Sequence, residues 1–308
     1  QLLKDKLAEM MQGAVGLAAS IERLHSHDDL FFSEHFLEPR PLYQALHQER
    51  GCVLLIDEIS FVPLDLIGLL EHLRLKGVRI ICFGDFKQLP PVTNRWRGCR
   101  VEPDVFEHSQ LFCQWSQGTR FVLTRCRRSD QGHFDFYTNL GAGSLKAAFE
   151  RYPWRGELCE WNITMSHWSR RRINAEMQRR AAAGVAEADK IWVDECEVPF
   201  HCFAGTRLIG SSNAAQIVNG AFLVVTELLG ESVRLRDDDT GELFEVTVLQ
   251  MAAHTRLRWA LTVCSIQGRS LSGTIGIHDS HSVYFSDVHL YVCLSRATDG
   301  ASVFMIPR

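Results

Sequence analysis

Cys52-Val-Leu-Leu-Ile-Asp-Glu-Ile-Ser60 and Val78-Arg-Ile-Ile-Cys-Phe-Gly-Asp85 each open on a short apolar run and end on acidic residues. Short apolar runs bounded by turn and charge signals predict buried strands. Between them Leu66, Leu69, Leu70 and Leu73 recur at helical spacing, and Gly77 follows where a helix would stop. Strand, helix, strand at this length predicts a parallel crossover unit, hence an α/β fold. Ligand-binding groups in such sheets collect at the carboxyl ends of the strands. Asp57, Glu58 and Asp85 stand there.

Outward from this unit, Phe83-Gly-Asp-Phe-Lys-Gln-Leu-Pro-Pro-Val92 continues the second strand into a loop. Each proline fixes its own φ and pushes the preceding residue toward extended geometry, so the loop can hold Gln88 at a set place. Upstream, Leu2, Leu3, Leu7, Met10 and Met11 predict a helix that stops at Gly13. Downstream, a second lobe is expected from Phe112, with strands over 121–123 and 162–165 and an Arg-rich helix over 168–183. The arginines of that helix, Arg170, Arg171, Arg172, Arg179 and Arg180, read as a solvated face. Short alternating strands, a Val218-Asn-Gly220 turn and a polar tip at Asp237-Asp-Asp-Thr-Gly241 predict a small β-barrel inserted over 199–251. The lobe is expected to resume at Trp259 and to end in a strand over 289–294.

The 308 residues are enough for two or three domains. With 46% hydrophobic and 23% charged residues, the composition is that of a soluble globular protein, and no apolar run is long enough to span a membrane. A net charge of -4 excludes a globally basic nucleic-acid binder and leaves only a local groove. The ten cysteines are scattered without a CxxC pair, and Cys52, Cys82 and Cys293 lie in apolar runs, so reduced core cysteines and an intracellular setting are expected.

The acidic pair followed by GDFKQLPPV resembles motifs II and III of RecD-like, Pif-type superfamily 1 DNA helicases, whose usual forms are DEISM and GDFFQLPPV. Ala14 to Ser26 is similar to the family's motif Ia, with Gly16 and His25 at its strand-contacting positions and Glu22 and Leu24 departing from the pattern. Leu123-Thr-Arg-Cys-Arg-Arg128-Ser-Asp130 resembles LTKVFRQxD, which sets Arg128 at the phosphate-contacting arginine; Arg127 stands at an aromatic position, and the assignment between the two stays open. Ile163-Thr-Met-Ser and Ile173-Asn174 are similar to the family segment TNxxxxxIN. Trp259 to Leu271 resembles motif V, YAxTxHKxQGxT, with Gln267 and Gly268 kept and Cys264 and Ser265 in place of His and Lys. Leu290-Tyr-Val-Cys-Leu-Ser-Arg296-Ala-Thr298 is close to YVALSRxT.

The resemblance implies two RecA-like P-loop NTPase lobes with parallel sheets, over 1–111 and over 112–198 with 252–308, and an SH3-like barrel over 199–251. It implies ATP and Mg²⁺ as cofactors: Asp57 as the metal ligand, Glu58 as the base for water, and Gln88, Arg128 and Arg296 around the phosphates. Asp85, Gln267 and Gly268 would meet the nucleotide, and Gly16, His25, Thr262 and Ser265 the single-stranded DNA. The activity implied is a 5′ to 3′ DNA helicase or translocase on duplex or forked DNA, monomeric and with no membrane partner. The Gly-rich loop GxxGxGK[ST] that cradles phosphates does not occur in the sequence, and Gln1-Leu-Leu-Lys4 resembles the helix that follows it, so the loop is expected just upstream and the segment alone is expected to be inactive. The alternative is a degenerate helicase that binds nucleic acid or a partner without hydrolysing ATP.

Overall fold

The computed structural model describes residues 53–91, 95–96, 99–101, 105–156, 159–214 and 216–307. The expected N-terminal helix, the motif Ia segment with Gly16 and His25, and Cys52 lie outside the described residues. The chain divides into two compact units, one holding 53–86 and 90–120, the other 87–89 and 121–307.

In the first unit, β1 (Val53–Ile56) pairs in parallel with β2 (Arg79–Cys82) through the crossover helix α1 (Leu64–Leu75). The helix buries Ile67, Leu70 and Leu73 against Leu54 and Val78, and Gly77 ends it at φ 93°, a conformation cheap only for glycine. After a short hairpin of β3 (Arg95–Trp96) and β4 (Cys99–Arg100), α2 (Gln110–Ser116) adds Phe112 and Trp115 to the same core. Ser109 starts this helix by accepting from the Phe112 amide. Phe112 therefore belongs to the first unit, and the chain leaves it near residue 120 rather than at 112.

The second unit is built on a four-stranded, all-parallel sheet in the order β13 (Ala260–Thr262), β5 (Trp161–Thr164), β14 (Ile275–Ile277), β15 (Val303–Met305). Helices α3 (Gln131–Thr138), α4 (Ser144–Arg151) and α5 (His167–Ala183) lie in the same unit. The strand expected over 121–123 does not form. Phe121, Val122 and Leu123 are 79–89% exposed and run without regular structure, because no strand or core among the described residues receives them.

The strand expected over 289–294 is a helix, α7 (Asp287–Ser295). A continuous apolar run cannot be told from a buried helix by periodicity, and Leu290, Val292, Cys293 and Leu294 are all fully buried. The deciding signal is local: Ser286 and His289 form a reciprocal cap at its start.

Between α5 and β13 the chain makes a hairpin of β6 (Lys190–Val193) and β7 (Phe200–Phe203), then β8 (Arg207–Gly210), β9 (Phe222–Leu229), β10 (Ser232–Asp237), β11 (Leu243–Thr247), α6 (Val248–His254) and β12 (Thr255–Leu257). Strands β11, β10, β9, β8 and β12 form, in that order, one antiparallel sheet over a core of its own that includes Leu208, Leu223, Val233 and Leu235. Both expected turns are present, with Gly220 at φ 83° and Gly241 at φ 74°.

Gly210 closes β8 where the 218–220 turn folds back, and a Cβ there would run into the Val218 carbonyl oxygen. Gly210→Ala is expected to lower unfolding free energy by roughly 2 kcal/mol or more, since backbone rather than a flexible side chain must move; urea denaturation of the two proteins measures it.

Candidate functional site

At the carboxyl end of β1 the parallel pairing runs on past the strands, with the Phe83 amide donating to Ile56 O at 2.7 Å and the Ile59 amide to Phe83 O at 2.9 Å. This pins the acidic pair. Asp57 is exposed, and its Oδ1 accepts from the Glu58 amide at 2.9 Å. Glu58 takes the left-handed conformation at φ 53° and ψ 44°, a costly state for a residue with a Cβ and one that collects at functional turns. Gly84 is pressed so closely on this turn that a Cβ would lie 2.9 Å from the Ile59 nitrogen. The glycine of Gly84-Asp85 is thus required by the fold of the acidic turn itself. Mg²⁺ commonly takes one or two carboxylates and completes its shell with water and phosphate oxygens, and an exposed aspartate at a strand end fits that demand. No group of three metal-ligating side chains occurs among the described residues.

Gln88 is grouped with the second unit. Lys87–Leu89 belong to the second unit, where Leu89 is buried in the main core cluster and the Lys87 ammonium donates to Thr138 O. Gln88 is half-buried, and its Oε1 is buried without a hydrogen-bond partner.

In the second unit the carboxyl end of β13 runs through a 3-10 turn, Val263–Ile266, into Gln267-Gly268. Gln267 at φ -61° and ψ 141°, Gly268 at φ 76° and an Arg269 amide donating to Ile266 O at 3.1 Å make a type II turn, which demands glycine at its third position. Both polar atoms of the Gln267 carboxamide are buried and without a partner. The turn lines an open cleft of about 520 Å³ with Phe222, Asp239, Arg269 and Ser270. An orphaned amide is costly in a finished core, and at a cleft it marks a place where a polar ligand completes the bonding.

The tip of the inserted sheet closes on this turn. Asp239 pairs with Arg269 at 2.9 Å and Asp238 with Arg258 at 2.5 Å, while both guanidinium groups lie over the Phe222 ring, itself stacked on Trp161. Burial pulls the Arg258 guanidinium below its ordinary range, and the Asp238 carboxylate opposes that shift. The Asp237-Asp-Asp-Thr-Gly241 segment is therefore a bracket on the Gln267-Gly268 turn as well as a polar hairpin tip.

The arginines gather at the end of α7. Arg128 Nη1 donates to Ser295 O at 2.7 Å, and Arg296, 2% exposed, sends Nε and Nη2 to Ser295 Oγ. Cations at a helix carboxyl terminus are favoured by its carbonyls and dipole. Buried His133 meets the same helix end as a neutral donor, with Nε2 on Leu294 O and Nδ1 on the Tyr152 hydroxyl; burial lowers its pKa, and a neutral ring donating to Leu294 O leaves Nδ1 to accept from Tyr152. Arg127 is exposed and makes no hydrogen bond or ion pair among the described residues.

Arg171, Arg172, Arg179 and Arg180 are exposed, as expected of a solvated face, but Arg170 is buried. Arg170, Asn174 and Gln178 stand one turn apart on α5, and all three are buried to within 1% exposure. Asn174 donates to Ala260 O and accepts from the Ala260 amide, Gln178 binds His201 O and the Trp259 indole, and Arg170 binds Glu197. Their spacing of four was the available signal, since it places one polar stripe along one helix face. Thr262 is buried and Ser265 half-buried, their hydroxyls 2.8 Å apart.

No protein-family model matches the sequence. No curated protein matches it. Among solved structures, two coordinating Pif1 helicases at forked dsDNA align with 90% of this chain and 74% of theirs at 21% identity and a TM-score of 0.58. The Pif1 helicase of Candida albicans covers 87% of this chain and 75% of its own at 17% identity and a TM-score of 0.59. Bacteroides Pif1 bound to ssDNA covers 90% and 76% at 21% identity and a TM-score of 0.55. The class is α/β with parallel sheets, similar to RecA-like lobes. In particular, the fold is similar to that of the Pif1 helicases.

Burial alone would raise the Glu197 pKa, yet hydrogen bonds and charge from Arg170 and Arg171 outweigh it and hold the carboxyl at about 2. A folded pKa below the unfolded one adds stability above the unfolded value and loses it as pH falls toward the folded one. The stability difference between the native protein and Glu197→Gln should thus be full near neutrality and shrink between about pH 4.5 and pH 2, measured by thermal unfolding across that range.

Proposed function

We propose that the chain is the motor core of an ATP-dependent DNA translocase and helicase moving 5′ to 3′ on single-stranded DNA. The observation that carries this reading is the Gln267-Gly268 turn, whose carboxamide is buried, unpartnered and turned to a cleft in a fold shared with Pif1 helicases. A Bacteroides Pif1 in complex with ADP-AlF3 and ssDNA, 21% identical at a TM-score of 0.56, supports a nucleotide and a single strand as the ligands. Asp57 would hold Mg²⁺, which supplies charge neutralisation on the phosphates, and Glu58 would take the proton of the attacking water from its fixed left-handed turn. Arg128 and Arg296, gathered at Ser295, are the candidates for phosphate contact, with Arg128 favoured over Arg127 by its placement beside Arg296. Gln88 and Asp85 remain candidates for sensing phosphate, and Thr262 and Ser265 for the strand. The segment 199–251 is proposed to serve as an SH3-like module, and the chain to act as a monomer. No helix among the described residues is long and apolar enough to cross a membrane.

In a protein in which a GxxGxGK[ST] loop precedes this chain, Glu58→Gln should abolish DNA-stimulated hydrolysis while nucleotide binding persists. Arg128→Ala should lower turnover by about 10³-fold and Arg127→Ala should leave it near normal. Steady-state ATPase assays with saturating single-stranded DNA decide both. Hydrolysis at parental rates in all three variants would instead identify these groups as structural, and a parent protein that binds DNA without hydrolysing ATP would support the degenerate reading.

A further inference from the structure

Arg256 projects from β12 beside the carboxyl end of β13, and its Nη2 lies 3.4 Å from Ser265 Oγ, a long contact for a guanidinium donor. Its Nε is buried and meets no acceptor. Arg170, 1% exposed, donates through Nη2 to Glu197 Oε1 at 2.5 Å, but its own Nε is equally buried and unmet. Arg171 Nε takes the same Glu197 oxygen at 2.9 Å. One carboxylate thus answers Arg170 and Arg171, and among the described residues no acidic side chain forms an ion pair with Arg256, on which Glu197 acts only at longer range. A positive charge partly withdrawn from water and lacking a partner is unfavourable unless an anion arrives.

We propose that Arg256, with the Ser265 and Thr262 hydroxyls, is a seat for a phosphate oxyanion, that of a single-stranded nucleic-acid backbone. The chemistry fits in three respects. A phosphodiester carries one charge, matching one uncompensated arginine, and its oxygens can take a planar guanidinium and a hydroxyl together. The hydroxyls of Thr262 and Ser265 are already paired at 2.8 Å, so one proton is free to turn outward without breaking a bond to the backbone. On α5, the helix that supplies Arg170, Trp168 is 70% exposed with Arg172 over its ring at 5.5 Å, an aromatic surface of the kind on which bases stack. That last feature favours a strand over a free phosphate. The inference rests on the strand-binding reading above and adds to it a residue from β12, the edge strand of the antiparallel sheet.

The test is fluorescence anisotropy with a labelled oligothymidylate on the 308-residue protein, its Arg256→Met and Arg256→Lys variants, and Arg234→Ala as a control on an exposed pair. Arg256→Met should weaken binding at low salt by roughly tenfold, as expected for one charge-assisted contact. It should also reduce the slope of log K against log salt by about 0.7, one single-strand phosphate. Arg256→Lys should retain part of the affinity and Arg234→Ala all of it. Without ligand, Arg256→Met should melt at or above the wild-type temperature, because it removes an unpaired charge; a structural arginine would give the opposite. Wild-type affinity and slope in Arg256→Met, or early melting of that variant, overturns the proposal. If the wild type binds no oligonucleotide, inorganic phosphate separates the cases: stabilisation of the wild type but not of Arg256→Met keeps the oxyanion seat and removes the strand, while no stabilisation removes both.

Discussion

The double hydrogen bond between the Asn174 carboxamide and the backbone of Ala260 does for β13 what a neighbouring strand would do. Strand β13 lies at the edge of the parallel sheet, and an edge strand has one row of amides and carbonyls unpaired. Helix α5 supplies the missing backbone partners at Ala260 through Asn174, and Gln178 accepts from the indole of the preceding Trp259. The direction in which β13 delivers the chain to Thr262, Ser265 and the Gln267-Gly268 turn is fixed by this contact. Removing one member of such a buried network strands the other, which costs more than the bond's net worth.

A second constraint acts from the opposite side of the turn. The inserted antiparallel sheet reaches back through Asp238 and Asp239 to Arg258 and Arg269, residues that flank β13 and the Gln267-Gly268 turn. The turn is therefore held between α5 and the β10–β11 tip. A change in the inserted sheet would be felt at Gln267 through charge pairs and the Phe222 ring rather than through the strand itself.

Much of the first unit could be read in the sequence because its signals are local. The apolar runs of β1 and β2, the leucine spacing of α1 and Gly77 each point to one structure, and Gly84-Asp85 marks a close backbone approach. The same logic failed over 121–123, where β propensity had no neighbouring strand to satisfy, and over 289–294, where a wholly buried helix carries no periodicity. It also failed for Arg170. An arginine is ordinarily exposed, and Glu197, far along the chain, makes its burial tolerable. Pairings between distant residues leave no local trace in one sequence.

The same long-range character explains why the acidic pair was legible while the surroundings of Ser265 were not. Asp57 and Glu58 are shaped by neighbours in sequence and by one adjacent strand, so their motif and their geometry coincide. Ser265 alone reads as an uncharged departure from a basic pattern. The guanidinium at its side comes from β12, across the whole inserted segment from the helix that buries Arg170. A loss of charge at one position of a resembled motif is therefore a statement about that position and not about the surface, because the fold can bring charge to the same place from another element. The charge of such a surface has to be counted over the elements that meet at the end of β13, where one carboxylate pairs with Arg170 and Arg171 and Arg256 reaches only a hydroxyl.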